Sequence, residues 1–231
     1  MSITTRRDSE MSKAKALTPR QESRRHRILL VAREMVADHG YDGMVMSEVA
    51  ERSGVSPTTL YNLYNTKDEL LLEALRELMV ISYQRVGLVS DIGPGWKYLL
   101  NVMEGAAALR SAEPAYAEAI TDALFRAVQG DALTELLLNT VRQDFFHSLT
   151  KMAEEDQLKE GVDTEHLATI LLGNYWSTFM MINKGMEVIS GMRLSLLVNM
   201  LSVLIASSQG AAREEMETIL EKVRQEVAAN A

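Results

Sequence analysis

The stretch 46–64 constrains the fold most, because it has the pattern of two short helices joined by a tight turn. Gly54 stands where the first helix must end, a position that often needs the positive φ that glycine adopts without strain. Ser56 is a good N-cap, and Pro57 follows at the first helical position. Leu60 and Tyr64 share one face of the second helix. The pattern predicts a helix-turn-helix, whose second helix can enter the major groove of DNA.

The charge distribution supports contact with nucleic acid at one end only. The formal net charge of the 231 residues is −8, but residues 1–27 hold eight Lys/Arg against three Asp/Glu. A basic segment on an acidic body favours phosphate contact through that segment. The chain has no cysteine, which excludes disulfides, thiolate zinc sites and cysteine nucleophiles.

The residues before the motif predict a helix that supports it. Thr18 and Pro19 have the types of an N-cap and a first helical residue, and Gly40 is expected to end the helix. An apolar stripe with helical spacing runs along it, formed by Ile28, Leu29, Ala32, Met35 and Val36. Several arginines crowd its first two turns, where the helix dipole disfavours cations, so DNA phosphate is a natural partner for them.

After the motif the pattern remains helical. Thr66 and Glu69 have the spacing of a capping box that opens a linking helix to about residue 88, and 91–95 is a break. No strand pattern follows it. We predict an all-α fold of roughly ten helices, the later ones at about 95–111, 114–129, 131–157, 164–189, 192–208 and 211–229. The predicted organisation is a disordered basic N-terminal arm (1–17), a DNA-binding domain (18–66), a linking helix and break (67–93), and a regulatory domain (94–231).

The residues from about Arg27 to Leu71 resemble the tetracycline-repressor (TetR) family of transcriptional regulators. The shared pattern comprises Ile28-Leu29, Ala32-Arg33, Gly40-Tyr41, Val49-Ala50-Glu51-Arg52, Gly54-Val55-Ser56, Thr59-Leu60-Tyr61 and Lys67-Asp68-Glu69-Leu70. The resemblance implies that three N-terminal helices bind a pseudo-palindromic DNA operator as a dimer. It also implies that the C-terminal helices form a ligand pocket and a dimer interface, and that the ligand releases the DNA. The sequence departs from the family pattern at Val45, which replaces a common Thr, and at Leu63, which replaces His or Tyr.

The expected DNA contacts follow from the motif's outward face. Thr58, Thr59, Tyr61 and Asn62 are compact donors and acceptors suited to base edges and phosphates, and the face carries none of the Lys or Glu of an ordinary solvated surface. Further phosphate contacts are expected at Ser47, Lys67, Arg24, Arg25 and Arg27.

A small-molecule pocket is expected in the regulatory domain, although large apolar residues belong to a core by default. Fourteen methionines suit a pocket for a largely apolar ligand. The candidate lining residues are Trp96, Met103, Tyr116, Phe125, Gln143, Phe146, His147, Trp176 and Met180.

Dimerisation is expected through helices 164–189 and 192–208. The faces predicted to meet are Leu167, Ile170, Leu171, Asn174, Tyr175 and Thr178 on the first helix and Leu194, Leu197, Val198, Leu201, Leu204 and Ile205 on the second. The last helix extends this interface or covers the pocket.

The sequence shows no catalytic or metal-binding pattern, and we expect no enzyme activity, cofactor or metal. No uninterrupted apolar run reaches the length of a membrane span and no signal peptide is evident, so a cytoplasmic protein without a membrane partner is expected. The predicted function is a ligand-responsive, homodimeric transcriptional repressor. The alternatives are an activator, a regulator without a ligand, and a helical enzyme or scaffold.

Overall fold

The structure, a computed structural model, describes residues 18–85, 92–126 and 132–230. Over these residues the fold is all-α, as predicted, with ten α-helices and no strand. The helices are α1 (Pro19–Gly43), α2 (Met46–Arg52), α3 (Pro57–Leu63), α4 (Lys67–Arg85), α5 (Trp96–Ala112), α6 (Pro114–Arg126), α7 (Ala132–Glu154), α8 (Thr164–Asn183), α9 (Met192–Ser207) and α10 (Gly210–Asn230). A short 3-10 helix, Ile189–Gly191, precedes α9. The predicted disordered arm, the end of the linking helix and the start of the helix predicted at 131 lie outside the described residues.

The helix starts agree closely with the capping residues. Thr18, Ser56 and Asp163 each accept a hydrogen bond from a backbone N–H in the first turn of α1, α3 and α8. Thr66 accepts from the Glu69 N–H at 3.1 Å, as predicted. The second half of the predicted capping box differs, because the Glu69 carboxylate accepts from the backbone and side-chain nitrogens of Asn65 instead.

The predicted end of α1 at Gly40 corresponds to a kink. Gly40 has a φ of 72°, outside the helical region, but helical geometry resumes for another turn up to Gly43. This turn places Tyr41 beside the start of α4, where its hydroxyl donates to Asp68 at 2.6 Å. The kink therefore connects the end of the first helix to the linking helix.

Two apolar cores organise the chain. The first joins α1–α4 to α6 and to the start of α7, with Leu29, Met35, Leu60, Tyr116 and Leu133 among its fully or almost fully buried residues. The second joins α5, α7, α8, α9 and α10. Because α6 packs along α1, the helix-turn-helix rests directly on the body as well as on α4.

Helix α8 is shorter than predicted, since it ends at Asn183 and Gly185 turns the chain with a φ of 67°. By length and composition the next segment, Ile189–Ser207, is apolar enough to cross a membrane, with a mean hydropathy of 1.7. This finding differs from the expectation that no apolar run reaches the length of a membrane span. Core helices of soluble proteins pass the same test. In this fold Leu197, Leu201 and Leu204 of the segment are buried in the second core.

Candidate nucleic-acid interface and ligand cavity

The outward face of α3 carries the polar residues that its pattern predicted, together with the apolar Leu63, which is 46% exposed. Leu60 is fully buried, whereas Thr58, Tyr61 and Asn62 are exposed, Tyr61 to 49%. Thr59 is half-buried, and its hydroxyl group lies 2.8 Å from the Ser56 hydroxyl that caps the helix. The side chains that face solvent are therefore uncharged and short, apart from the Tyr61 phenol.

The turn before α3 is fixed by its own backbone and by α1. Gly54 adopts a φ of 67°, and Ser53 is buried with its hydroxyl donating to the Val49 carbonyl at 2.6 Å. Val45 caps α2 without a side-chain hydrogen bond, as its apolar side chain predicts. Ser47 lies exposed in the first turn of α2, which leaves its hydroxyl accessible to a phosphate.

Three arginines of α1 line an open cleft beside the N-terminal end of α3. Arg20, Arg24 and Arg27 share this cleft with Ser56 and Thr59. Arg27 donates from Nε to the Ser53 carbonyl at 2.7 Å, which holds α1 against the turn and leaves its terminal nitrogens for another partner. The cleft combines arginines with hydroxyl groups, a combination that suits a phosphate.

Arg25 is placed differently from the prediction, because its guanidinium faces α4 instead of the cleft. It lies 2.7 Å from Glu73, whose other carboxylate oxygen lies 2.8 Å from Arg76. Burial alone would raise the pKa of Glu73, but hydrogen bonds from Arg76 and Arg25 lower it below its usual value. Burial raises the pKa of Tyr64, the C-cap of α3, and the nearby Arg25 guanidinium opposes this rise. Arg25 thus connects the end of the candidate recognition helix to α4.

A second, more deeply buried ion pair joins α1 to α4. Arg33 and Glu77 lie 2.7 Å apart, with only 6% and 13% of their side chains exposed. His26 of α1 contacts the other oxygen of Glu77 at 3.2 Å. Together with Arg25–Glu73, these contacts fix the linking helix to the helix-turn-helix.

Lys67 opens α4 beside the kink of α1. Its ammonium group lies 4.2 Å from the centroid of the Tyr41 ring, a cation–π distance. Partial burial lowers the pKa of Lys67, while Asp42 and Asp68 favour its charged form. The ammonium group is thus held in place at the start of the helix.

The body contains a cavity of about 310 Å³ enclosed by α4 to α8. Its walls are mostly apolar, and four of its aromatic residues form a cluster of rings: Phe145, Tyr175, Trp176 and Phe179. The lining residues with polar groups are Arg76, Tyr98, Thr121, Thr140, Asp144, Tyr175 and Trp176, and the Trp176 indole N–H is buried without a hydrogen-bond partner among the described residues. The two threonine hydroxyls donate to carbonyls of their own helices.

The cavity lies elsewhere than most of the predicted pocket residues. Of the nine candidates, only Trp176 lines it. Trp96 and Met103 are buried in the second core, Tyr116 is buried in the first, and Phe146 is half-buried beside the second. Phe125, Gln143, His147 and Met180 are exposed. Position on the helix face decides this, since Phe145 faces the cavity and its neighbour Phe146 does not.

The faces predicted to dimerise are largely used inside the chain. Leu167, Leu171, Tyr175 and Thr178 are buried, and only Ile170 of the predicted α8 face is exposed. The exposed α8 face consists instead of His166, Thr169, Ile170, Gly173, Ser177, Met180 and Met181. On the predicted α9 face Leu197, Leu201 and Leu204 are buried and Leu194, Val198 and Ile205 are half-buried, whereas the exposed α9 residues are Asn199, Ser202 and Ala206. Both helices therefore retain a free face, rich in small residues, on the opposite side.

Among the described residues no group of three or more His, Asp or Glu side chains is arranged to hold a metal ion.

Comparison with known proteins identifies the family of the helix-turn-helix. Residues 28–74 match the sequence profile of the bacterial regulatory proteins of the tetR family. The helix-turn-helix segment of this chain therefore matches the DNA-binding part of TetR-family regulators. The transcriptional activator FasR of Mycolicibacterium smegmatis is 43% identical over 58 residues, which cover 25% of this chain and 26% of FasR. The match thus spans about a quarter of that relative's length.

Solved TetR-family structures share the fold over most of the chain. TylP, a TetR regulator from Streptomyces fradiae, superposes with a TM-score of 0.60 at 16% identity, covering 90% of this chain and 98% of TylP. SmeT, the repressor of a multidrug efflux pump of Stenotrophomonas maltophilia, gives 0.56 at 15% identity, covering 81% and 91%. A gamma-butyrolactone receptor gives 0.51 at 17% identity, covering 90% and 98%. At these identities the likeness shows the fold alone.

Proposed function

We propose that this protein is a homodimeric repressor of the TetR family that binds operator DNA through α1–α3 and is released by a small molecule bound in the body. The observation that carries the proposal is the outward face of α3. It presents Thr58, Tyr61 and Asn62 to solvent beside a cleft lined by arginines. An uncharged face of donors and acceptors suits base edges, and the flanking cations suit phosphates.

The proposed contacts differ in what they contribute. Asn62 can pair with adenine through two hydrogen bonds, and Tyr61 can contact a thymine methyl group or a phosphate. Thr58 and Thr59 reach base edges or phosphates, while Ser47, Lys67, Arg24 and Arg27 are assigned to phosphates. Arg25 is assigned to the α1–α4 connection and not to DNA, because its guanidinium faces α4 and lies 2.7 Å from Glu73.

The second copy is proposed to bind through the exposed faces of α8 and α9. Gly173 and Ser177 on α8, with Ser202 and Ala206 on α9, allow four helices to approach closely around a two-fold axis. A two-fold dimer places two recognition helices on successive half-sites, about 34–36 Å apart. The dimer therefore contributes to DNA binding by setting the distance between the two recognition helices.

Ligand release is proposed to act through α4. Leu72 and Arg76 line both the 310 Å³ cavity and the cleft beside Tyr64, so they separate the ligand from the end of α3. A ligand that shifts α4 changes the spacing of the recognition helices through the Arg25–Glu73 and Arg33–Glu77 contacts. Its effect is limited to its difference in affinity for the two arrangements of the dimer.

The test is binding to the DNA upstream of the gene, measured by fluorescence anisotropy over a range of salt concentrations. The wild-type protein is expected to bind selectively and with strong salt dependence. Tyr61→Ala should abolish selective binding while leaving the helical content and the dimer intact. Phe125→Ala removes another exposed aromatic ring from the body and should bind as the wild type does. Selective binding by Tyr61→Ala would contradict the assignment of α3.

Activation is the second candidate, because the relative matched over the DNA-binding residues, FasR, is an activator. A reporter gene behind the same upstream DNA separates the two roles. Expression that rises when the protein is deleted supports repression, and expression that falls supports activation.

A further inference from the structure

The cavity between α4 and α8 carries a more specific ligand chemistry, which rests on the proposal above that it is the effector site. Its charged lining residues are Arg76 and Asp144. Arg76 already has an ion-pair partner within the protein and Asp144 has none among the described side chains. This difference indicates the charge of the ligand.

Arg76 is already paired. Its guanidinium lies 2.8 Å from Glu73, and about half of its side chain is exposed to solvent. Glu73 is shared with Arg25 at 2.7 Å, so these three groups form a compact cluster at the wall of the cavity. An anionic ligand would have to compete with Glu73 for Arg76.

Asp144 has no ion-pair partner among the described side chains. Its carboxylate accepts a hydrogen bond from the Tyr98 hydroxyl at 3.3 Å, and Arg76 and His147 interact with it only at longer range. Although Asp144 is exposed at the cavity edge, partial burial of its carboxyl group raises its pKa, which reflects incomplete compensation of its charge. A cation beside it would supply the missing partner.

The apolar wall is also suited to a cation. Tyr98 and the four clustered rings of Phe145, Tyr175, Trp176 and Phe179 line one cavity, with neighbouring centroids of the cluster 5.0–5.9 Å apart. The faces of aromatic rings attract organic cations, while their bulk accommodates an apolar frame. We propose that the ligand of this cavity is an aromatic or lipophilic organic cation, whose charge is recognised by Asp144 and by the surrounding rings.

The experiment compares three two-ring probes that differ in charge: N-methylquinolinium chloride, quinoline and naphthoate. Their affinities for the full-length protein are measured at neutral pH by titration calorimetry. The cation is expected to bind at least about fivefold more tightly than neutral quinoline, the effect of one partly exposed charge and its ring contacts. Naphthoate is expected to bind most weakly.

Two variants test which residue recognises the charge. Asp144→Asn keeps the shape of the side chain and should remove most of the preference for N-methylquinolinium over quinoline, leaving the part that the rings contribute. Glu165→Gln removes the same charge from an exposed site at the start of α8 and should leave the affinity unchanged. Circular dichroism establishes that both variants remain folded.

Three results would overturn the proposal. The first is that naphthoate binds more tightly than the cation and that Arg76→Gln abolishes this binding. The others are equal affinities for all three probes and no binding of the cation. Each is independent of the proposed regulatory function, which is tested by DNA binding without a probe. If the cation binds as expected but leaves DNA binding unchanged, the ligand chemistry stands and the release mechanism fails.

Discussion

The buried ion pair between Arg33 and Glu77 allows a quantitative test of how α4 is held on the helix-turn-helix. Glu77→Gln preserves the size of the side chain but leaves the Arg33 guanidinium, 6% exposed, without its counter-charge. The other acceptor near Arg33 is the Ala74 carbonyl, at a long 3.4 Å. Removing one partner of a buried pair costs about 3–5 kcal/mol, because an uncompensated charge remains buried. Against a typical stability of about 5–15 kcal/mol, this loss is large.

The free energy of unfolding is measured by urea denaturation followed by circular dichroism. Protein concentration is held constant, because the stability of a dimer depends on it. The control is Glu34→Gln, which makes the same change in α1 at an exposed pair with Arg52, 3.3 Å apart. An exposed pair contributes about 0–1 kcal/mol, so this control should unfold nearly as the wild type does.

The paired replacement Arg33→Met with Glu77→Leu separates buried charge from lost packing. Apolar residues of similar volume need no counter-charge, so the double variant is expected to recover most of the stability that Glu77→Gln loses. If Glu77→Gln unfolds at the same urea concentration as Glu34→Gln, the pair is not effectively buried in solution. The proposed connection between α4 and α1 would then have to rest on Arg25 and Glu73 alone.

Four further outcomes are expected. Arg24→Gln should reduce the slope of log affinity against log salt for operator binding by about two units, one for each protomer of the dimer, whereas an unchanged slope would remove Arg24 from the phosphate contacts. Asp163→Ala should destabilise the fold by about 1 kcal/mol in urea denaturation, since two N–H groups of α8 lose their cap. Ile170→Asp should shift the protein from dimer to monomer in sedimentation velocity, and a persistent dimer would place the interface elsewhere. The pKa of Glu73 is lowered in the folded state. The contribution of Glu73 to the free energy of unfolding is therefore complete above the unfolded carboxyl pKa and is lost as the pH falls through the folded pKa. Glu73→Gln should thus lose less stability on acidification than the wild-type protein does.

The amino-acid sequence by itself determined the all-α class and the local geometry of the motif. Thr18 and Ser56 marked helix starts because a cap depends on hydrogen bonds within one turn. Gly54 marked the turn for the same local reason, since positive φ is a property of a single residue. The outward face of α3 was also predictable, because Leu60 fixes which side of so short a helix is buried.

The tertiary structure decided which residues meet across helices. Of the large apolar residues predicted to line a pocket, only Trp176 lines the cavity, because a helical pattern does not state whether a face meets a neighbouring helix, a cavity or solvent. The predicted dimer face of α8 contained Leu171 and Tyr175, which the second core buries, and Gly173 and Ser177 remained exposed. Arg25 resembled its neighbours in sequence, yet only packing against α4 pairs it with Glu73, 48 residues away. Capping and turn geometry depend on neighbours in sequence, whereas pockets, interfaces and ion pairs depend on distant segments that only the folded chain brings together.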